Sequence, residues 1–64
     1  MIQQVIRFGN DMVIVLDEKG EQMPEYQGRY KEVKDKILAD APPDAKFYLS
    51  GWPLLGTNVK REEW

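Results

Sequence analysis

Carboxylates gather around the predicted turns of the first half of the chain, where they could bind a divalent cation. The residues concerned are Asp11, Asp17, Glu18, Glu21 and Glu25. Calcium loops place a glycine at their sixth position and a glutamate at their twelfth. Counted from Asp17, the glycine here is Gly20 at the fourth position, and no glutamate stands at the twelfth. The spacing therefore favours a solvated turn whose charges keep a sheet edge from pairing with other chains, and it predicts no metal site.

Two glycines later in the chain have the spacing of a phosphate-binding loop. Gly51 and Gly56 are separated by four residues, as in the motif that ends in lysine followed by serine or threonine. Here the two residues that follow are Thr57 and Asn58, and Pro53 inside the loop has no N–H with which to contact phosphate. The match fails, and the sequence predicts no nucleotide or other cofactor.

Side chains for catalysis are scarce. The chain has no histidine and no cysteine, which excludes zinc fingers, disulfide scaffolds and nucleophiles activated by histidine. Acid–base chemistry would depend on carboxylates, lysine or tyrosine, and Tyr26 and Tyr30 are expected in the core with only their hydroxyls at the rim. A single core of 64 residues also rarely encloses a pocket for a drug-sized substrate. We therefore predict that the protein is not an enzyme.

The predicted helix carries a local excess of positive charge that could contact nucleic acid. The candidate contacts are its basic residues and three aromatic residues: Arg29, Lys31, Lys34, Lys36, Tyr48, Trp52 and Trp64. Nucleic-acid bases stack on exposed aromatic rings beside a basic groove. However, Glu32 and Asp35 interrupt the basic residues, and the chain as a whole has a net charge of −2. A solvated helix face is favoured, and nucleic-acid binding is the alternative function.

The elements that must position these residues begin with a β-hairpin. Two β-rich runs, at 1–8 and 12–16, flank the turn-forming residues 9–11. With this turn, Ile6 faces Ile14. Residues 21–23 could add a short third strand before Pro24, which has no N–H to donate to a central strand.

A helix and a later strand follow. Apolar side chains recur at helical spacing at Tyr26, Tyr30, Val33, Ile37, Leu38 and Ala41. The pattern predicts a helix from about Arg29 to Asp40, and the two prolines at 42–43 end it. Residues 45–50 predict a strand that can lie beside the hairpin in one sheet. The fold class is thus α+β: a single domain of residues 1–64, in the order β-β-(β)-α-β, whose sheet packs on one amphipathic helix.

The hairpin has two apolar faces, and only one can pack on this helix. The more apolar face is expected to form the core, and it consists of Ile2, Ile6, Phe8, Met12, Ile14 and Leu16. A surplus of apolar residues then remains on the other face and in the loop after the last strand. These residues form the candidate interface, namely Val5, Val13, Val15, Trp52, Leu54 and Leu55.

The apolar surplus carries the functional prediction. Either residues 52–59 fold back over the second sheet face, or another chain covers it. We favour another chain slightly, because so short a chain has few residues with which to cover both faces. The predicted function is a non-enzymatic interaction module that forms a homo-oligomer or binds a protein partner.

No membrane partner is expected. The longest apolar run, Met12 to Leu16, is far shorter than the roughly 20 residues that span a bilayer. Residues 1–8 also lack the basic region and the apolar region of a signal peptide. We therefore expect the protein in the cytoplasm.

Overall fold

The computed structural model of the chain describes the backbone of residues 1–51 and 54–64 and the side chains of residues 1–50 and 56–64. Within these described residues, five strands and one α-helix follow one another along the chain. Their order is β1 (Ile2–Phe8), β2 (Met12–Asp17), β3 (Gly28–Arg29), α1 (Tyr30–Asp40), β4 (Lys46–Gly51) and β5 (Leu54–Val59). Short 3-10 turns lie at Pro24–Tyr26 and Arg61–Glu63. The predicted α+β class is confirmed.

The five strands form one mixed sheet in the order β3-β2-β1-β4-β5. The neighbours β1 and β4 run parallel, and the other pairs are antiparallel. The parallel pair follows from the helical connection, because a chain that leaves a sheet through a helix can return in the same direction. The later strand therefore lies beside the hairpin, as the sequence predicts.

The β1–β2 turn sets the register of the hairpin. Asp11 has a φ of 65°, and its N–H donates to the carbonyl of Phe8 at 2.9 Å. A three-residue loop that ends in a left-handed residue matches the twist of the flanking strands, and aspartate tolerates that conformation. Ile6 consequently pairs with Ile14, which confirms the predicted register.

The third strand is not where the sequence places it. Residues 21–23 make a single bridge, between Gln22 and Leu16, and the chain then enters the turn at Pro24–Tyr26. The third strand is β3, which pairs with β2 at Met12 and Val13. Proline explains the shift, because a residue without an N–H cannot extend the ladder.

The helix α1 matches its prediction to within one residue at its start and ends at the predicted Asp40. Its N-terminal N–H, that of Tyr30, donates to the carbonyl of Asp11 at 2.7 Å and so ties the helix to the hairpin turn. Val33 and Ile37 are buried on the side that faces the sheet. Ala41 follows the helix, its N–H bonded to the carbonyl of Ile37, and is buried as well.

The face of the sheet that packs on α1 is the opposite of the predicted one. We call it the helix face, and its buried residues are Ile2, Val5, Val13, Val15 and Phe47. Ile6, Phe8, Ile14 and Leu16 lie on the other face and are only half-buried. Ile2 alone of the predicted core strand residues is buried in the core, because a register shift between Ile2 and Gln4 moves it onto the face of Val5.

The reason for the error is that both faces of the hairpin are apolar, so that alternation cannot choose between them. The helix packs on the face that carries three valines. A valine projects less far from the sheet than leucine or phenylalanine and lets the helix axis approach closely.

The C-terminal part of the chain is more ordered than the sequence indicates. Residues 51–58 are predicted as an irregular loop, but β5 pairs with β4, and Asn58 faces Tyr48 across the ladder. After β5, Trp64 returns to the helix face and is 4% exposed. Its ring centroid lies 5.0 Å from that of Tyr30 and 5.1 Å from that of Phe47. The charged C-terminal segment thus ends in a core residue.

Candidate interaction surface

The sheet face opposite the helix is apolar along three neighbouring strands. We call it the open face, and define it by Gln4, Ile6, Phe8, Met12, Ile14, Leu16, Tyr48 and Ser50. The described side chains of this face include no carboxylate, and the nearest charges are at its margins. Lys46 pairs with Gln4 at one corner, and Arg29 pairs with Met12 at the outer strand.

Every helical segment in the described part of the chain contributes to the helix face. Val33 and Ile37 of α1 are buried there, Tyr26 of the first 3-10 turn packs against the same core, and Trp64 closes it at the other end. Within residues 1–51 and 54–64, no helix therefore packs on the open face. Its apolar side chains shield one another and are half-buried, apart from Met12, which is 41% exposed.

A small cavity indents the open face. Its volume is about 230 Å³, and its lining residues are Gln4, Ile6, Phe8, Tyr48, Ser50 and Gly56. The floor is apolar, while the amide and hydroxyl groups of its neighbours form a polar rim. Gly56 has a φ of 76°, and a Cβ added to it would meet no atom within 4 Å, so the cavity is open on that side.

The structure buries the three valines of the candidate interface predicted from the sequence. Val5, Val13 and Val15 are 0%, 1% and 0% exposed, because they lie beneath α1. A contact with another chain would have to displace the helix first. Trp52 lies outside the described residues, as do the side chains of Leu54 and Leu55, whose backbone belongs to β5. Among the described residues, the apolar surplus lies instead on the open face, where it is half-buried apart from Met12.

The candidate nucleic-acid contacts are dispersed over the molecule. Trp64 is buried and cannot stack on a base, and Tyr48 lies on the open face, away from the helix. Lys36 donates from its Nζ atom to the carbonyl of Glu25 at 2.6 Å. Lys34 lies with its Nζ atom 5.5 Å from the centre of the Tyr30 ring. The basic residues of the helix and the aromatic residues of the open face therefore do not share one surface.

Arg7 connects three parts of the chain, and no motif in the sequence indicates this role. Its guanidinium lies 3.5 Å from the centre of the Tyr30 ring and donates to Asp11 Oδ1 at 3.1 and 2.9 Å. A third bond, of 3.0 Å, reaches the main-chain oxygen of Trp64, which the Tyr30 hydroxyl also contacts at 2.8 Å. Arg7 thus ties the hairpin turn, the helix start and the C-terminal residue together. The available signal was its position on the same face as Val5.

The acidic turn stabilises itself. The side chain of Asp17 accepts hydrogen bonds from the N–H groups of Glu21 and Lys19, at 2.9 and 2.8 Å. These bonds lower the pKa of Asp17 below its ordinary value of 3.8, because they favour the ionised form. Among the described residues, no three acidic side chains come together in a way that could hold a metal ion.

A second cavity, of about 470 Å³, lies where the hairpin turn meets the start of α1. Charged residues of both signs line it, among them Asp11, Arg29 and Lys31. The Asp11 carboxylate is already paired with Arg7. The open face is consequently the stronger candidate for a functional surface.

Comparisons of the chain with models of protein families, with curated proteins and with solved structures found no match in any of the three. The single α-helix of the described residues is too short to cross a bilayer.

Proposed function

We propose that this protein is a non-enzymatic interaction module that self-associates, with the open face of one copy packed on the open face of another. The observation that carries the proposal is the half-buried apolar surface of β1, β2 and β4, which no described helix covers. Two such faces brought together would form a sandwich of two sheets with a shared core. The cytoplasmic location stays a prediction.

The size of the open face is sufficient for a weak dimer. The three strands that carry it, at a spacing of about 4.8 Å and each about six residues long, give a face of roughly 14 by 20 Å. Two such faces bury on the order of 600 Å² in flat projection, and the side chains that stand on them add to this. Stable specific interfaces start near 1,000 Å², so this face supports a weak dimer that forms at high protein concentration.

The distribution of charge also supports self-association. Burying an ionised group without a partner is costly, and the described centre of the open face contains none. Each chain nevertheless has a net charge of −2, so that two copies repel each other at long range. Salt screens such repulsion, and dimerisation should therefore strengthen as the ionic strength rises.

The test is sedimentation equilibrium of the parent and of two lysine variants. Ile14→Lys places a charge at the middle of the open face, and we expect it to be monomeric while the parent is a dimer. The matched control is Thr57→Lys, which adds the same charge at an exposed position of β5 whose partner, Leu49, is on the helix face. This control should remain a dimer.

Two outcomes contradict the proposal. A parent that sediments as a 7.5 kDa monomer at every concentration tested would refute self-association. A dimer that persists in Ile14→Lys would show that the copies associate through another surface. Circular dichroism of both variants verifies that the lysines leave the fold intact.

Nucleic-acid binding is the alternative, and it has less support. Its basic residues lie on α1 and, for Arg29, on β3, while its remaining described aromatic residue, Tyr48, is half-buried on the open face of the sheet. Fluorescence anisotropy with a labelled single-stranded oligonucleotide tests it. Binding that weakens steeply with salt would favour this alternative over self-association.

A further inference from the structure

The open face contains both a projecting side chain and a cavity. Met12 is 41% exposed and stands at the start of β2. The cavity, on the other side of β1, has a volume of about 230 Å³. This is smaller than the roughly 300–1,000 Å³ typical of sites for drug-sized ligands. The cavity has the size to accept a single large side chain.

The projecting side chain and the cavity lie at the same height along the strands. The ladder that pairs Arg7 with Val13 brings Phe8 beside Met12, and Phe8 pairs with Ser50 on its other side. Met12, Phe8 and Ser50 therefore form one row across β2, β1 and β4. Ser50 is part of the cavity lining. A second row, one step along, consists of Ile14, Ile6 and Tyr48.

A two-fold axis parallel to β1 would use this arrangement twice. Rotation about such an axis exchanges the positions of β2 and β4 and leaves the height along the strands unchanged. Met12 of each copy then lies over Ser50 of the other, and Ile14 lies over Tyr48. A two-fold interface requires this reciprocity, since each contact must occur twice.

We infer that the dimer axis runs along β1 and that Met12 of each copy inserts into the open-face cavity of the other. The inference rests on the proposed self-association and adds its geometry. The flexible thioether of methionine adapts to an irregular cavity, and its sulfur makes favourable contacts with the rings of Phe8 and Tyr48 that line this one. The same axis brings Leu16 over the aliphatic stem of Lys46, which pairs with Gln4 in the third row.

The competing arrangement has its axis across the strands. Rotation about that axis keeps each strand over its own counterpart and reverses the height, so that Met12 lies over Leu16 of the other copy. The cavity then faces its own counterpart and receives no projecting side chain. The two arrangements therefore predict different neighbours for Met12.

Engineered disulfides distinguish the two arrangements, because the chain has no cysteine of its own. Met12→Cys with Ser50→Cys reports the axis along β1, and Met12→Cys with Leu16→Cys reports the axis across the strands. Neither pair can close within one chain. The first spans two strand spacings, about 9.6 Å, and the second four residues of a strand, about 13 Å, whereas a disulfide needs Cα atoms within about 7 Å. Disulfides between packed sheets are known from immunoglobulin domains, so the geometry is attainable.

After mild oxidation, the Met12→Cys, Ser50→Cys variant should migrate as a covalent dimer on a non-reducing gel, and the Met12→Cys, Leu16→Cys variant should not. Thr57→Cys alone, at an exposed position, controls for random collision and should stay monomeric. The oxidation is run well above the dissociation constant of the parent, because replacing Met12 itself weakens the dimer by about tenfold. Under these conditions, cross-linking of the Leu16 variant instead, of all three variants alike, or of none while the parent sediments as a dimer would overturn the inference. A monomeric parent would overturn the proposed function itself.

A second measurement needs no cysteine. Met12→Ala should raise the dimer dissociation constant by about tenfold or more, since anchors that fill a pocket dominate binding energy. Met12→Leu, which still fills the cavity, should restore most of the affinity. Equal dissociation constants for the parent and Met12→Ala would contradict insertion of Met12.

Discussion

At the scale of single residues, burial separates the two faces of one strand. Val13 and Val15 are enclosed by the core, whereas Ile14 between them lies on the open face. The sequence predicts both this alternation and the pairing of Ile6 with Ile14. Which face would meet the helix could not be predicted, because isoleucine and valine are both apolar and the decision depends on how closely the helix can approach.

A pair of alanine substitutions tests this assignment. Ile37→Ala removes a side chain that is fully buried and should cost about 2–5 kcal/mol of unfolding free energy. Ile14→Ala removes the same atoms from the half-buried open face. In the monomer it should lower the unfolding free energy by less than half as much as Ile37→Ala. Urea unfolding measures both free energies, at protein concentrations below the dissociation constant of the dimer. Equal costs would mean that the open face is covered within one chain.

At the scale of elements, the parts with strong local signals were predictable and the others were not. The hairpin and α1 have turn residues, periodicity and terminating prolines within their own sequence. By contrast, β3 has only two residues, and β5 contains Gly56. Their strand character comes from pairing with β2 and β4, which is a tertiary effect that no local pattern reports.

The C-terminal turn shows the same limit. The residues Arg61–Glu63 are all charged and show no apolar pattern, yet the turn that they form positions Trp64 between Tyr30 and Phe47. Trp64→Ala should therefore cost about 3–5 kcal/mol, a large part of the stability of a domain this small. Glu63→Ala, in the same turn but exposed, should change the stability by less than about 0.5 kcal/mol. Thermal melting of both variants checks the contrast, and similar melting temperatures would exclude a core role for Trp64.

The Asp17 turn gives the molecule a predictable response to acid. The pKa of Asp17 is lower in the folded protein than in the unfolded chain, because the N–H groups of Glu21 and Lys19 bind its ionised form. The stability that it contributes is complete above the unfolded value, about 3.9, and is lost as the pH falls through the lower, folded value. The unfolding free energy of Asp17→Ala should therefore fall less steeply between about pH 5 and pH 2 than that of the parent. Parallel curves for the two proteins would contradict this role.

At the scale of the whole molecule, the described helical elements lie on one side of the sheet. The helix, both 3-10 turns and Trp64 all contribute to that side. Many domains of this size gain added stability from disulfides, metals or association, and the sequence contains no cysteine or histidine to provide the first two. If the proposed association through the open face adds to the stability of the fold, folding and dimerisation should be linked.

Linkage predicts that the melting temperature depends on protein concentration. Above the dissociation constant, each tenfold rise in concentration stabilises the dimer by about 1.4 kcal/mol, or about 0.7 kcal/mol per chain. For a domain this small, that should raise the Tm of the parent by roughly 3–6 °C per tenfold step. Ile14→Lys, which is expected to be monomeric, should melt at the same temperature at every concentration. Differential scanning fluorimetry between about 5 and about 500 µM makes the comparison. A parent whose Tm stays constant over this range would mean that the monomer is stable without a partner on the open face, and the linkage argument would fail.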